Sequence, residues 1–476
     1  MKLKKLIEHL PIKIYKGSKE VEITGLCSHS KYVAPGNLFI VKLGTRDDGA
    51  KYVNEALASG AAAILTDLPD PSLRDVVQLI TPDVVGIEGQ LASRFFGDPS
   101  RSLFTVGVTG TNGKTTVSYL VKHLLDALGG RCGLIGTIEY MIGDYHFEAE
   151  LTTPDVLTNN KLLSEMVRQG STAAAMEVSS HALSQNRVDG IHYDVAIFTN
   201  LSQDHLDYHG TLQAYAAAKK RLFTSLDASS TAITTLKGME MVEECKGKVF
   251  TYSLLPKADL YATDLHFTPE YTAFVAHHNG KSSAIKMPLV GDFNVLNALA
   301  AIATCIVKGH PLEEIAPHFS TFPQVRGRFE RVAPNIYIDF AHTPDAIANV
   351  LSSLEHIRKG RILLVFGAGG DRDRQKRKEM GRVASAADLT ILTSDNPRSE
   401  DPRAICDEVA SGCTGEYMIE IDRRKAIEMA IALAAPDDLI LIAGKGHETH
   451  QTFAHQTIPF DDRKVVLETL DEVRCS

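Results

Sequence analysis

None of the seven cysteines (Cys27, Cys132, Cys245, Cys305, Cys406, Cys413 and Cys475) has a C-x-x-C partner. Their scatter and odd number argue against a disulfide framework and against a zinc site. Long apolar runs are also missing, and nothing approaches the ~18–20 residues that a membrane-spanning helix needs. The opening MKLKKLIEHLPIKIYKG carries lysines but only short apolar runs before Pro11, so it does not read as a secretory signal. There is no basic excess: 50 Lys and Arg stand against 59 Asp and Glu, a net charge of −9. That balance disfavours a general nucleic-acid binder. No internal repeat or low-complexity stretch is visible. The expectation is a soluble, cytoplasmic protein of a reducing compartment that binds no nucleic acid and inserts in no membrane.

At 476 residues the chain is too long for a single core, and about two to four domains are expected. Its most informative stretch is VGVTGTNGKTTVSYLVKHLL, Val106–Leu125. A strand-like run from Leu103 to Val108 enters a loop of glycines, threonines and a lysine. A helix then leaves with Val117, Leu120, Val121, Leu124, Leu125 and Leu128 on one face. Strand, glycine loop and helix together hold phosphate, because a helix N-terminus offers unpaired N–H groups and a positive dipole end. Lys114 would reach the terminal phosphates, and the Thr115 hydroxyl suits Mg²⁺. The spacing departs from the usual Walker pattern, since Val108 and not glycine lies five residues before Gly113.

Residues 1–101 read as short strands and turns ending in the linker-like GDPSRS, Gly97–Ser102. Strand–helix alternation follows, with TAAAMEV (Thr172–Val178) and DVAIFTNL (Asp194–Leu201) as strands of a mainly parallel sheet. After the arginine-rich turn Gln324–Glu330 a third region carries four strands ending at Phe340, Phe366, Ser394 and Ala443. AHTPD, GAGGDRDR, DNPRSE and GKGHE occupy the carboxyl ends of those strands, where open α/β sheets bind ligands. The domain expectation is 1–101, 102–326 and 327–476.

Glu177 emerges at the end of one strand and His205 in the loop after another. A carboxylate and an imidazole near nucleotide phosphates can hold Mg²⁺, although magnesium prefers oxygen ligands. The plainer reading is that Asp204 and His205 cap the next helix. In that next segment, TLQAYAAAKKRLFTSL, Lys219 shares an apolar face with Leu212, Tyr215, Ala216, Leu222, Phe223 and Leu226, while Lys220 points elsewhere. The segment by itself favours a packed stem with a snorkelling amine. The alternative is a lowered pKa, a neutral amine that takes up CO₂, and a carbamate that offers oxygens to magnesium. DNPR likewise has a plainer reading, as a proline turn capping the next helix.

GTNGKTT, TTPD (Thr152–Asp155), MEVSSHAL, TNLSQDHLDYHG, GDFNVLNALAA, DFAHTPDA, DNPRSE and GKGHE follow one another in this order. In that order the chain resembles the Mur ligases over nearly its whole length. The resemblance implies an α/β protein of three domains: a small α/β UDP-binding domain, a central P-loop-type parallel-sheet ATPase domain, and a C-terminal Rossmann-like domain for the amino acid. It implies an ATP-dependent amide ligase that adds meso-2,6-diaminopimelate to UDP-N-acetylmuramoyl-L-alanyl-D-glutamate through an acyl phosphate, acting as a monomer. ATP would be held by Gly110, Thr111, Asn112, Gly113, Lys114, Thr115 and Thr116, with Asn297, Arg328, Asp339 and His342. Mg²⁺ would be held by Thr115, Glu177, His205 and Lys219, the last as N6-carboxylysine, a carbamate made with CO₂. Lys114, Glu177, His205 and Lys219 would carry the catalysis. Ser30, Thr152, Thr153, Ser179, Gln185 and Arg187 would contact the muramoyl-dipeptide nucleotide. Arg372, Asp395, Asn396, Pro397, Arg398, Gly444 and Glu448 would form the diaminopimelate pocket.

The first domain departs from the family pattern. His29-Ser30-Lys31 stands where the family has Asp-Ser-Arg, and Asp48 and Gly49 are further phosphate-side candidates. Rival readings are a lysine-adding Mur ligase, a folylpolyglutamate synthetase-like ligase, and a nucleotide-dependent switch that ligates nothing.

Overall fold

The computed structural model describes residues 1–42, 49–73 and 76–475, with side chains as far as residue 472. They fall into two compact units, Met1–Gly107 with Gly130–Val195, and Val108–Gly129 with Ala196–Ser476.

In the first unit the strands Lys13–Lys16, Val77–Ile80, Ala63–Thr66, Asn37–Ile40 and Gly25–Cys27 form a sheet in that order. Only the first is antiparallel to its neighbour. NLFI and AILT are buried at every position, as expected for parallel strands covered on both faces. One cover is the helix Val84–Phe95, which buries Val84, Ile87 and Leu91 and is capped by Asp83 Oδ1 accepting from Gly86 N at 2.7 Å. The segment was read as short strands and turns within a small α/β domain, and this helix was not placed. The helix carries Gly86 and Gly89, which weaken its local signal, and tertiary packing restores it. The linker-like Gly97–Ser102 is also a packed element. It contains the turn Pro99–Arg101, whose Pro99 and Ser100 are buried, and Ser100 O accepts from Thr105 Oγ1 at 3.1 Å. Further along this unit Ala173–Glu177 runs parallel to Cys132–Ile135, and the hairpin Glu139–Ile142/Tyr145–Glu148 adds antiparallel strands.

In the second unit the helix Lys114–Ala127 packs against the helix Asp292–Val307. Of its expected apolar face, Val117, Leu120, Val121, Leu124 and Leu125 are buried, and Leu128 is the half-buried C-cap. Thr231–Thr235, Lys248–Ser253 and Leu260–Phe267 are parallel neighbours. The sheet then turns antiparallel through Thr272–His278 and Lys281–Met287, a meander that the mainly parallel expectation did not include.

The last region is a six-stranded sheet ordered Glu330–Ala333, Ile336–Asp339, Leu439–Ala443, Ile362–Phe366, Leu389–Leu392 and Tyr417–Ile419. It is parallel except for the first strand and has a hydrophobic core on each face. Under its carboxyl edge lies a fully buried ion pair, Arg423 with Asp462, at 2.8 and 2.7 Å. Arg423 Nη2 also donates to Ala443 O at 2.9 Å. Removing one partner strands a buried charge. Arg423→Ala should therefore lower folding stability by about 3–5 kcal/mol, measured by chemical denaturation. A loss below about 1 kcal/mol, the range of a surface pair, would contradict this account.

Candidate active site

The phosphate loop lies in the second unit, at the end of the strand Phe104–Thr109. Gly110 sits at φ +148°, and a Cβ there would come within 1.9 Å of Thr199 Oγ1, so only glycine lets the loop close. Gly113, at φ +87°, is the left-handed N-cap of the following helix. Asn200 fixes the loop by accepting from Thr111 N through its carbonyl and from Asn112 N through Oδ1, both at 2.9 Å. Asn112 Nδ2 donates to Asp345 Oδ2 at 3.0 Å. Lys114 Nζ is held at the loop by the carbonyls of Gly110 (2.9 Å) and Thr111 (2.8 Å). Thr115 and Thr116 are buried in the first helical turn.

The expected nucleotide-side residues gather here. Asn297 projects from the helix Asp292–Val307 and donates to Asn294 Oδ1 at 3.1 Å. Arg328 Nη2 donates to Thr115 Oγ1 at 3.1 Å, and its guanidinium lies 4.5 Å from the Phe340 ring centroid. Asp339 is pushed up to about 6 by burial, against the opposing pulls of Arg328, the Phe329 and Ala341 amides and His342.

His342 and His205 both face Asp204, with Nε2 at 3.7 and 3.3 Å from its carboxylate, and Lys376 Nζ lies 3.7 Å away. Burial raises the Asp204 carboxyl, but His342, His205 and Lys376 outweigh it and hold the group well below the usual carboxylate range. Sequence reading gave Asp204 only a capping role and missed Lys376. His205 takes φ +53° at the start of Leu206–His209 and makes no side-chain capping bond, so the capping reading fails for its ring.

Lys219 is 1% exposed. Its Nζ donates to Gly110 O at 2.9 Å and sits 4.3 Å from the Tyr215 ring centroid. Burial first, and then the Lys114 charge, hold the amine well below its ordinary pKa, with Asp204 opposing. Snorkelling, which the segment alone favoured, is excluded. The stripe is also narrower than expected, because Leu212 is exposed and Ala216 half-buried.

In the first unit Glu177 is fully buried at the end of its strand. Thr137 donates to it twice, from N at 2.8 Å and from Oγ1 at 2.9 Å. Thr137 was not anticipated, although it lies just past the strand Cys132–Ile135 beside Glu177's own strand. Thr152, Thr153, Ser179, Gln185 and Arg187 join this set. Thr137 Oγ1 and Thr152 Oγ1 are 3.1 Å apart, and Thr153 Oγ1 donates to Glu177 O at 2.8 Å. Ser179 N donates back to Thr153 Oγ1 at 3.1 Å. Arg187 donates to Thr153 O at 3.0 Å and to Gln185 Oε1 at 3.0 and 2.6 Å. Ser30 stands outside this set, buried in the short turn Ser30–Tyr32. Asp48 lies outside the described residues, and Gly49 begins the turn Gly49–Tyr52.

The polar loops of the last region lie at the carboxyl ends of its sheet. Gly370 N donates to Asn396 O at 2.9 Å, and Ser399 Oγ to Asp371 Oδ1 at 2.5 Å, which locks GAGGDRDR to DNPRSE. Gly444, at φ +108°, lets Asp395 approach so closely that a Cβ would lie 2.7 Å from its Oδ2. Arg398 takes φ +51°, sparsely populated for a side-chain-bearing residue, and is held there by its N–H donating to Thr452 O at 3.0 Å. Its Nη1 donates to Gly370 O at 2.6 Å and Asn396 O at 3.5 Å. Among the described residues no carboxylate lies within ion-pair distance of Arg398. Burial and then the Arg372 charge lower its pKa. Both arginines flank Gly369. DNPR caps no helix, since Asp401 caps Pro402–Ala410.

Asn396 is committed elsewhere than expected. Its Nδ2 donates to Glu448 Oε2 at 2.8 Å, while Oδ1 accepts from Lys445 Nζ at 3.2 Å and Thr452 N at 2.9 Å. It therefore orients Glu448.

Among the described residues no cluster of three or more His, Cys, Asp or Glu side chains could hold a metal ion. The Thr115 hydroxyl and nucleotide phosphates still fit magnesium, which usually takes few carboxylates and keeps several waters. No described helix is long and apolar enough to cross a membrane.

A glycine loop between a strand and a helix N-terminus, with arginines at the carboxyl edge of a parallel sheet, is the arrangement of an α/β enzyme that uses a nucleotide. The Mur ligase middle domain matches residues 108–305, and the Mur ligase glutamate ligase domain matches residues 327–446. The chain is 41% identical over 483 residues to the UDP-N-acetylmuramoyl-L-alanyl-D-glutamate–2,6-diaminopimelate ligase of Chlamydia abortus, covering 99% of each. The ligase of that name from Caldanaerobacter subterraneus subsp. tengcongensis is 42% identical over 466 residues, 96% of each chain. A solved structure of such a ligase superposes with a TM-score of 0.73 at 33% identity, covering 100% of this chain and 99% of the other. The protein belongs to the Mur ligase family, and its α/β architecture is that of the family.

Proposed function

We infer that the protein is an ATP- and Mg²⁺-dependent ligase that joins meso-2,6-diaminopimelate to the D-glutamyl carboxylate of UDP-N-acetylmuramoyl-L-alanyl-D-glutamate, in peptidoglycan precursor synthesis. The observation that carries the choice of amino acid is Arg398, a half-buried guanidinium that among the described residues donates only to backbone carbonyls and has Arg372 beside it. Such a site fits a ligand carboxylate.

A carboxylate does not condense with an amine near neutral pH, because its oxygen is a poor leaving group. Transfer of the γ-phosphoryl to the D-glutamyl carboxylate gives an acyl phosphate and ADP. The neutral amine of diaminopimelate attacks the acyl carbon, the tetrahedral intermediate expels phosphate, and the amide forms with loss of one proton. Phosphoryl transfer is mainly positioning and charge neutralisation, which falls to Lys114, the loop amides and Arg328. Magnesium, when bound, neutralises phosphate charge. Thr115, His205 and a carbamylated Lys219 are its proposed ligands in the second unit, and the family pattern adds Glu177. Arg187, Thr152, Thr153, Ser179, Gln185 and Ser30 are assigned to the muramoyl-dipeptide nucleotide. Residues 1–101, 102–326 and 327–476 are assigned as the UDP-substrate, ATP and amino-acid domains of a monomer. The six described cysteines are all free thiols, which fits a cytoplasmic enzyme.

The test is phosphate release with the muramoyl-dipeptide nucleotide, with and without diaminopimelate. Release should require both. A nucleotide switch would show no dependence on the amine, and a lysine-adding enzyme would respond to lysine.

Arg187 has no carboxylate partner among the described residues, so a mere surface ion pair does not explain it. Losing a hydrogen bond to a charged group is worth about 1.5–3 kcal/mol. Arg187→Ala should therefore raise KM for the dipeptide nucleotide by about 10- to 100-fold and leave KM for ATP nearly unchanged. Equal effects on both in steady-state assays would count against the assignment.

A further inference from the structure

Tyr215 and Lys219 stand four residues apart on the helix Leu212–Thr224, so their side chains are neighbours on one face. Both are almost completely buried. The Lys219 amine has two unlike neighbours. One is Gly110 O, which accepts its N–H at 2.9 Å and also accepts from Lys114 Nζ at 2.9 Å. The other is the face of the Tyr215 ring, whose centroid lies 4.3 Å from Nζ. That ring is itself fixed. Thr111 Oγ1, in the phosphate loop, donates its proton to Ser202 O at 3.2 Å and accepts from Ser202 N at 3.0 Å. The Tyr215 hydroxyl, 3.3 Å away, therefore donates to the same oxygen. The ring also stands edge-on to His205, with centroids 6.2 Å apart.

We propose that Tyr215 is a positioning residue for the Lys219 carbamate, a wall that turns the new carboxylate away from the ring and into the orientation that serves magnesium. It rests on Lys219 being carbamylated, as proposed above. Attack of the neutral amine on CO₂ forms one N–C bond, releases one proton and leaves one N–H. That N–H can stay on Gly110 O. The face of an aromatic ring is its negative side, so it repels a carbamate. One attractive contact at Gly110 and one repulsive contact at Tyr215 thus set the direction of the group. Residues that orient a metal ligand without touching the metal are worth about 10- to 100-fold in metal affinity.

The test compares wild type, Tyr215→Leu and Tyr215→Phe, each supplied with ¹³C-bicarbonate. Two quantities are read: the carbamate carbon line in the ¹³C spectrum, and the Mg²⁺ concentration that half-saturates its shift with ADP present and no turnover. Leucine keeps apolar bulk on the helix and removes the ring. It should leave the carbamate line in place and raise the half-saturating Mg²⁺ by roughly 10- to 100-fold. Phenylalanine keeps the ring and loses only its tie to Thr111. The rise should then be about 2- to 10-fold, the worth of one neutral hydrogen bond. A residue that only props the helix would lower the amount of folded protein and leave the Mg²⁺ requirement of the remainder unmoved. An unmoved requirement in Tyr215→Leu, or loss of its carbamate line, overturns the proposal. Should Tyr215→Leu give no soluble protein, an unmoved requirement in Tyr215→Phe overturns it. A wild type without a carbamate line would overturn the Lys219 carbamate and this inference together, whereas a wild-type line with an unmoved Mg²⁺ requirement in the variants overturns the inference alone.

Discussion

Lys219→Ala should lose nearly all ligase activity, with kcat down by about 10²–10³-fold or more, the scale of removing a group aimed at developing charge. Lys219 Nζ lies 2.9 Å from Gly110 O, inside the phosphate loop and away from solvent. As an ammonium it would add a buried cation beside the half-buried Lys114, and burial together with that neighbour drives it toward the neutral amine. A neutral, desolvated lysine is a nucleophile. Its attack on CO₂ forms a C–N bond, releases one proton and yields a carbamate, which replaces a misplaced positive charge with an oxygen ligand for magnesium. Added formate or acetate should partly restore Lys219→Ala by supplying those oxygens. The half-buried neighbour Lys220 is the control, and Lys220→Ala should be mild. Undiminished phosphate release in Lys219→Ala would end the carbamate proposal. Failure of rescue with activity lost would point instead to a structural amine holding Gly110.

Much of this site could be read along the chain because its chemistry is local. The glycine loop, the strand that feeds it and the helix that leaves it are consecutive, and Lys219 shares a helical face with Tyr215. The loops AHTPD, GAGGDRDR, DNPRSE and GKGHE could be placed from strand ends alone, since a parallel sheet puts its carboxyl termini on one edge. What stayed hidden depends on which strand lies beside which. Thr137 grips Glu177 from forty residues away because Cys132–Ile135 and Ala173–Glu177 are parallel neighbours. Nothing in DNPR tells that Asn396 Oδ1 accepts from Lys445 and Thr452. Lys376 reaches Asp204 only once the chain has folded. The helix Val84–Phe95 was missed because two glycines dilute a pattern that packing completes.

Wild-type enzyme should ligate meso-diaminopimelate and use little lysine, by a factor of about 10⁴–10⁵, because a site built to pair a polar group rejects an analogue that lacks it. Diaminopimelate differs from lysine by a carboxylate at its far end. Arg398 is the group we assign to it: half-buried, held by a left-handed backbone, and spending Nη1 on two carbonyls. Lysine would leave that guanidinium unpaired in a closing pocket and set its own ammonium against it. Arg398→Ala should therefore lower the diaminopimelate-to-lysine ratio of kcat/KM by about 10²–10³-fold, since truncating one partner of a buried charge pair is worth roughly 2–5 kcal/mol. Arg398→Lys should fall between, because an ammonium cannot span two carboxylate oxygens. Arg398 already carries a Cβ at φ +51°, so alanine adds no backbone strain, and any general loss of fold weakens both amino acids alike and cancels in the ratio. Competition assays with the two amino acids over one nucleotide substrate measure it directly. Equal use of lysine by the wild type, or an unaltered ratio in Arg398→Ala, would show that the far carboxylate is read elsewhere.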